Sequence, residues 1–306
     1  MTIQISVIIP VYNASKFVGK AVESALHQPE VAEVLLIEDG SNDNSLEVCR
    51  QLAKKFDKVK LLTHPGNENK GAGASRNLGI ENAKCDYIAF LDADDYYLHG
   101  RFAKARQLFS DISIEGVYGC VKAEFDSPEL QRKFLARYKS EYTTTVEKIH
   151  PEDLLYKLLF GGYGRFHTNA VTLKKSVFKK TEMFDTELRL SQDSELWVRL
   201  AATCRLAPGQ IVHPIAIRRV HANNRIHADD EVILKYKKMM HTKLYKWAIN
   251  QDHLPFGKKN YFFLLYRDCV KKEETEVRLL LKHAIEDPKL LFNSFFYRKV
   301  YQILMN

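Results

Sequence analysis

Apolar runs and helical stretches alternate along the first third of the chain. Ile3 to Pro10 is rich in β-branched residues and predicts a buried strand. Phe17 to Leu26 has helical spacing. Glu33 to Glu38 (EVLLIE) reads as a second strand and Leu46 to Phe56 as a second helix. Val59 to Thr63 predicts a third strand, Gly73 to Ala83 a third helix, and Asp86 to Leu91 (DYIAFL) a fourth strand. Strands alternating with helices of about ten residues require right-handed crossovers. The pattern therefore predicts an α/β fold with a mostly parallel central sheet covered by helices on both faces.

The alternation then loosens. Tyr96 to Phe109 reads as a helix that Asp94 or Asp95 could cap, and Glu115 to Phe125 as a strand. Asp126 to His150 is polar, basic and rich in Thr and Tyr, which suggests a surface excursion. Leu154 to Phe160 is helical, Asn169 to Leu173 a strand, Glu195 to Thr203 a helix and Ile211 to His221 a strand. From Glu231 onward strand patterns give way to basic, aromatic helical segments. The expected boundary lies near residue 230, with 231–306 a helical C-terminal appendage.

Composition narrows the class. The 306 residues are 45% apolar and 27% charged, an ordinary globular mix. The N-terminus lacks a basic, apolar leader, and no apolar run reaches the roughly 18 residues of a membrane span. A cytoplasmic protein is expected, unless it sits peripherally on the inner face of the membrane. The five cysteines are widely spaced with no C-x-x-C pair, which argues against a zinc site or a disulfide framework. Most of the net charge of +8 falls beyond Glu231. That asymmetry points to a partner for the tail rather than to a nucleic-acid-binding protein.

In a parallel sheet, ligands bind beyond the carboxyl ends of the strands. Polar clusters stand at those ends: Pro10-Val11-Tyr12-Asn13, Glu38-Asp39-Gly40-Ser41, and Asp92-Ala93-Asp94-Asp95. Three carboxylates after an apolar strand repel one another unless a cation or hydrogen-bond donors compensate. Magnesium typically takes one or two carboxylates plus substrate phosphates, and a nucleoside diphosphate supplies the latter. Asp39 could accept from a base N–H and Tyr12 could stack on the base, although turn residues and surface aromatics are equally common. Asn69 to Arg76 (NKGAGASR) is not a dinucleotide fingerprint, because Arg76 stands where the third glycine belongs. A small-residue helix start with Arg76 one turn in can instead face an anion. Asp193 opens a helix and is either a first-turn residue or a general base. His221 is either structural or a further metal ligand.

Taken together, SVIIPVYN (Ser6–Asn13), EDGSNDNS (Glu38–Ser45), NKGAGASRN (Asn69–Asn77), LDADD (Leu91–Asp95) and QDSELWVRL (Gln192–Leu200) resemble family 2 of the glycosyltransferases. The resemblance spans about residues 3–225. It implies a GT-A fold, with 1–110 binding the nucleotide-sugar, 111–230 binding the acceptor, and 1–230 forming the catalytic domain. It implies that Tyr12, Asp39, Arg76 and Asp92, with Pro10, Lys70, Gly71 and Ala93 around them, bind a nucleotide-sugar, most simply a UDP-sugar. Asp94, joined by His221, would hold Mn2+ or Mg2+. Asp193 would be the base of a single displacement that inverts the anomeric centre. The acceptor would be a hydroxyl of a glycan or a lipid-linked glycan, as in surface polysaccharide synthesis. The family often has Glu-Asp where this chain has Gln192-Asp193, which bears on sugar choice.

Two other classes compete with that reading. A nucleotidyltransferase should carry a Gly-rich basic loop after the first strand, where this chain has VYNASKF. A non-catalytic nucleotide-sugar-binding protein would keep the motifs without turnover. For the tail, Phe292, Phe295, Phe296, Val300, Ile303 and Leu304 share a helical spacing, with Arg298 and Lys299 beside them. That face could pack on the core, lie on an anionic leaflet, or form a homodimer.

Overall fold

The computed structural model describes residues 3–144, 147–161, 166–222, 224 and 230–270. The chain divides into two compact units, Met1–Ala228 and Asp229–Asn306.

The first unit begins as the pattern predicts: β1 (Ile5–Val11), α1 (Val18–Leu26), β2 (Val31–Glu38), α2 (Ser45–Lys55), β3 (Val59–Thr63), α3 (Ala72–Asn82) and β4 (Tyr87–Phe90). Val7, Ile9, Val34, Leu36 and Ala89 are wholly buried, because helices cover both faces of a parallel sheet. β1 pairs in parallel with β2 on one side and β4 on the other. Val11 is level with Glu38, and Glu38 with Thr63, so three strands end along one line. The chain winds outward to β3 and then returns to place β4 on the opposite side of β1. A crevice opens where the winding reverses. Tyr12 follows β1 there and Asp92 lies just past β4.

The second half is less regular. Its elements are β5 (Tyr96–Tyr97), α4 (Ala103–Leu108), β6 (Gly116–Tyr118), β7 (Cys120–Phe125), α5 (Pro128–Tyr138), α6 (Leu154–Phe160), β8 (Thr172–Lys174), α7 (Phe178–Thr181), α8 (Gln192–Thr203), β9 (Leu206–Pro208) and β10 (Pro214–Val220). The large sheet runs β3-β2-β1-β4-β8-β6-β9, with β8 antiparallel to both neighbours. A small sheet runs β5-β10-β7. The whole is a mostly parallel sheet flanked by helices, as the sequence implies.

Three local expectations fail, and the surface excursion proves to hold a helix. The helix expected over Tyr96–Phe109 is mostly replaced by β5 and a turn. Tyr97 donates its hydroxyl to the Phe90 carbonyl at 2.7 Å, and β5 pairs with β10. Asp94 and Asp95 therefore cap no helix. The strand expected over Glu115–Phe125 splits between the two sheets as β6 and β7. The excursion from Asp126 holds α5, which Ser127 caps by accepting from the Leu130 N–H at 3.3 Å, with Pro128 in the first turn. Asn169 lies not in a strand but in a 3-10 turn (Thr168–Ala170) ahead of β8. The short strand β9 carries too few residues to show a period.

The second unit contains α9 (Asp230–Ile249) and α10 (Phe256–Val270). They are the helical appendage the sequence predicts. Tyr245 stacks on Tyr266 with ring centroids 4.7 Å apart, and Trp247 meets Phe262 edge-on. The aromatic face from Phe292 to Leu304 lies outside the described residues. Among the described residues, no helix is long and apolar enough to cross a membrane.

Candidate active site

A cleft of about 730 Å3 opens at the winding reversal, over the carboxyl ends of β1 and β4. Of the residues the sequence singles out, Pro10, Tyr12, Asp39, Arg76, Asp92, Ala93, Asp94, Asp193 and His221 line it. The chain from Arg189 to Asp193 and the end of β10 complete the wall. Residues more than a hundred positions apart thus meet because β8 and β10 fold back against the first half.

Lys70 and Gly71 do not line the cleft. They serve it through the backbone. The buried Asp39 carboxylate accepts from the Lys70 N–H at 2.8 Å and the Gly71 N–H at 2.9 Å. Asn69 Nδ2 donates to the Asp39 carbonyl at 3.0 Å. The Lys70 ammonium turns away and pairs with Glu68. Gly71 has φ +89°, in the region that favours glycine, and a Cβ there would lie 2.6 Å from Arg189 Nη1. At Gly73 a Cβ would lie 2.6 Å from Gln192 Oε1. The missing side chains let the Arg189–Asp193 segment rest directly on the start of α3.

Arg76 holds Asp92 by an ion pair of 2.7 Å at the end of β4. Burial alone would push the Asp92 carboxyl up, but the Arg76 guanidinium outweighs it and holds the group below the usual carboxylate range. Arg76 Nε is buried and finds no hydrogen-bond partner among the described residues.

Beyond Asp92, Asp94 Oδ2 lies 3.1 Å from His221 Nε2 and accepts from Asn224 Nδ2 at 3.1 Å. His221 stacks on Phe17 with centroids 5.0 Å apart, which fixes the ring plane. A second set of ligand atoms, from Asp92, Asp95 and His167, lies within 4.8 Å of one another. Burial pushes the His167 imidazole down to about 4, so the ring is neutral at neutral pH. Asp95 is driven well above the usual carboxylate range by burial and by the charges of Asp94 and Asp92. Oxygen and imidazole donors crowded around mutually repelling carboxylates fit a hard divalent cation.

Asp193 stands in the first turn of α8. Its Oδ1 accepts from the Ser194 N–H at 2.7 Å, while Oδ2 has no partner among the described residues. Ser191, at the N-cap position, makes no side-chain cap bond and has φ +62°. A buried pair anchors the helix instead. Arg199 Nε donates to Glu195 Oε1 at 2.7 Å, and Arg199 Nη2 donates to the Met183 carbonyl at 2.8 Å. Sequence reasoning passes over His167, Asn169, Arg189 and Arg218. Only the polar run His167-Thr168-Asn169 before an apolar strand hints at them.

Residues 6–180 match the profile of glycosyl transferase family 2. An uncharacterized glycosyltransferase of Haemophilus influenzae is 42% identical over 101 residues, which is 33% of this chain and 40% of that protein's length. Among solved structures, S. aureus TarS 1–349 in complex with UDP-GlcNAc aligns with a TM-score of 0.62 at 16% identity. The alignment covers 91% of this chain and 76% of that one. The mannosyltransferase PcManGT from Pyrobaculum calidifontis, in complex with GDP-Man and Mn2+, aligns with a TM-score of 0.56 at 16% identity. It covers 97% of this chain and 83% of that one. These likenesses establish the shared fold, and the profile match over more than half the chain, with the strand-end motifs it contains, places this protein in glycosyl transferase family 2.

Proposed function

We propose that this chain is an inverting, metal-dependent glycosyltransferase that moves a sugar from a nucleotide-sugar to a glycan hydroxyl. One observation carries the reading. Asp193, whose Oδ2 has no partner among the described residues, lines the same cleft as the Arg76–Asp92 pair and the Asp94–His221 pair.

Tyr12, Asp39, Arg76 and Asp92 line the part of the cleft nearest β1 and hold the nucleoside, with Pro10 and Ala93 shaping its floor. Lys70 and Gly71 act through Asp39, keeping its carboxylate in one orientation. Asp94 and His221 are the residues that would hold Mn2+ or Mg2+. When bound, the ion neutralises charge on the departing nucleoside diphosphate. Asp193 accepts the proton of the acceptor hydroxyl as that oxygen bonds to the anomeric carbon. The bond from that carbon to the diphosphate oxygen breaks on the opposite face, so the configuration inverts. The proton ends on Asp193 and the electron pair on the leaving diphosphate.

A UDP-sugar fits the donor role, since the TarS structure was solved with UDP-GlcNAc, although the PcManGT structure carries GDP-Man. The acceptor is a glycan or lipid-linked glycan of surface polysaccharide or glycoconjugate synthesis. The lysines of α9 and the basic tail suit contact with an anionic leaflet that bears such an acceptor. Sedimentation with anionic and neutral liposomes tests that contact, and a concentration series tests a homodimer. The central test is nucleoside diphosphate release from a panel of UDP- and GDP-sugars with Mn2+, for wild type and Asp193→Asn. Binding without turnover in the wild type would replace this reading with a non-catalytic one.

A further inference from the structure

Asn169 touches the Asp95 carboxylate and the Asp92 backbone without lining the cleft. It is wholly buried, and each of its four polar groups has one partner. Its N–H donates to His167 Nδ1 at 3.3 Å, and its carbonyl accepts from Arg101 Nε at 2.9 Å. Its side-chain Oδ1 accepts from the Asp92 N–H at 3.0 Å. Its Nδ2 donates to Asp95 Oδ2 at 2.5 Å. The other Asp95 oxygen, Oδ1, accepts from the Arg219 N–H at 2.8 Å. Arg219 lies in β10, between Arg218 and His221.

These bonds form one line. It runs from the backbone of Asp92, through the Asn169 amide, through the Asp95 carboxylate, to the backbone of β10. The two ends of the line carry groups that line the cleft: Asp92 and Asp94 at one end, Arg218 and His221 at the other. Arg101 stiffens the middle. It is buried and also donates to the Val171 carbonyl at 3.2 Å and Thr172 Oγ1 at 3.3 Å. A buried amide satisfied on both faces has one orientation, since flipping it would set donor against donor and acceptor against acceptor.

We propose that Asn169 and Asp95 are positioning residues, a hydrogen-bonded relay that sets the spacing between the Asp92–Asp94 turn and the β10 end carrying Arg218 and His221. Asp95 then does its work as a two-sided acceptor rather than as a ligand of substrate or metal. This differs from the alternative in which Asp95 joins Asp92 and His167 around a cation. The inference rests on the sugar-transfer reading only for its binding readout.

Exchanging the two side chains separates these roles. Asn169→Asp alone places a carboxylate against Asp95. Asp95→Asn alone places an amide N–H against the Asn169 N–H. Asp95→Asn with Asn169→Asp restores every bond and reverses only the one between the two side chains. Asn at 95 accepts from Arg219 and donates to 169, and Asp at 169 still accepts from Asp92.

The experiment uses the full chain and three readouts: melting midpoint, hydrogen exchange at the Asp92 and Arg219 amides, and Mn2+-dependent UDP affinity. Each single variant is expected to speed exchange at these amides and to weaken Mn2+–UDP binding by roughly tenfold or more. The double exchange is expected to restore protection and to bring affinity to within about threefold of wild type. If the singles do not fold, recovery of the melting midpoint in the double variant supports the relay in the same way. Two results overturn the proposal. One is a folded double variant with protected amides whose binding stays as weak as the singles, which makes the Asp95 carboxylate itself a ligand. The other is wild-type affinity in both singles. A wild type that binds neither UDP nor GDP would sink the sugar-transfer reading instead, while exchange rescue still reads the relay.

Discussion

Arg76, one turn into α3, reaches Asp92 at the end of β4 and pairs with it at 2.7 Å, while its own Nε has no partner among the described residues. The pair joins two elements that the winding reversal separates. Removing the guanidinium strands a largely desolvated carboxylate. Arg76→Met should cost about 2 kcal/mol at pH 7, less than for a fully buried pair because Asp92 is still partly exposed. The melting midpoint should fall by about 5 °C. The pH dependence fixes the cause. Asp92 is held below 3.8 by Arg76, so its stabilising share is present above that pH and is lost below it. In Arg76→Met, burial is opposed only by the lesser pull of His167 and Arg218, so the group rises and the folded state gains its proton earlier on acidification. The gap in midpoint between wild type and variant should narrow from pH 7 to pH 4. A constant gap would show that packing, not charge, links the two residues.

The free oxygen of Asp193 predicts a separation of rate from binding. Asp193→Asn keeps the size and the acceptor for the Ser194 N–H but removes the basic oxygen. Transfer to an acceptor should slow by roughly 10²–10⁴-fold, the usual share of a general base. Donor affinity should change by no more than about threefold. Titration calorimetry with a nucleoside diphosphate, set beside the rate, decides this. Loss of nucleotide binding would make Asp193 a donor residue.

The metal assignment divides between two donor sets, and single variants can tell them apart. If Asp94 and His221 hold the ion, Asp94→Ala and His221→Gln should each raise the Mn2+ concentration for half-maximal UDP binding by roughly 10–100-fold. His167→Gln should then change it little. The reverse ranking would move the ion to the Asp92, Asp95 and His167 set. Chelation by EDTA should abolish wild-type turnover in either case.

Much of this was legible in the sequence for a physical reason. β1, β2 and β4 are almost wholly buried strands in βαβ units, so their apolar runs are continuous and bounded by polar clusters. Asp39, Arg76, Asp92, Asp94, Asp193 and His221 could be singled out because each ends a strand or opens a helix. The rest depends on long-range contact. Tyr96-Tyr97 has no local preference strong enough to resist pairing with β10. Asn169 carries no motif, because its partners Asp92 and Asp95 lie more than seventy positions earlier. Lys70 reads as a ligand-binding cation, yet the fold uses its backbone N–H and sends its ammonium to Glu68.

Gly73 offers a test of how closely α3 must carry the Gln192–Asp193 segment. Alanine is favoured over glycine within a helix by up to about 1 kcal/mol. The Cβ of Gly73→Ala would come within 2.6 Å of Gln192 Oε1, the far end of a flexible side chain, and 3.6 Å of the Asp185 carbonyl. Gln192 can swing away at small cost, so the melting midpoint should hold or rise slightly. The swing, however, shifts the residue next to Asp193 at the mouth of α8. Transfer efficiency, kcat/KM, should fall about tenfold, consistent with a small misplacement of reacting groups. Gly71→Ala behaves differently, because φ +89° strains any side chain and the new Cβ meets Arg189 at 2.6 Å. It should lower both stability, by about 1–2 kcal/mol, and activity. Thermal melts and steady-state kinetics on the two variants are sufficient. Full activity in Gly73→Ala would show that Gln192 can leave α3 without disturbing Asp193, and that the close contact serves packing alone.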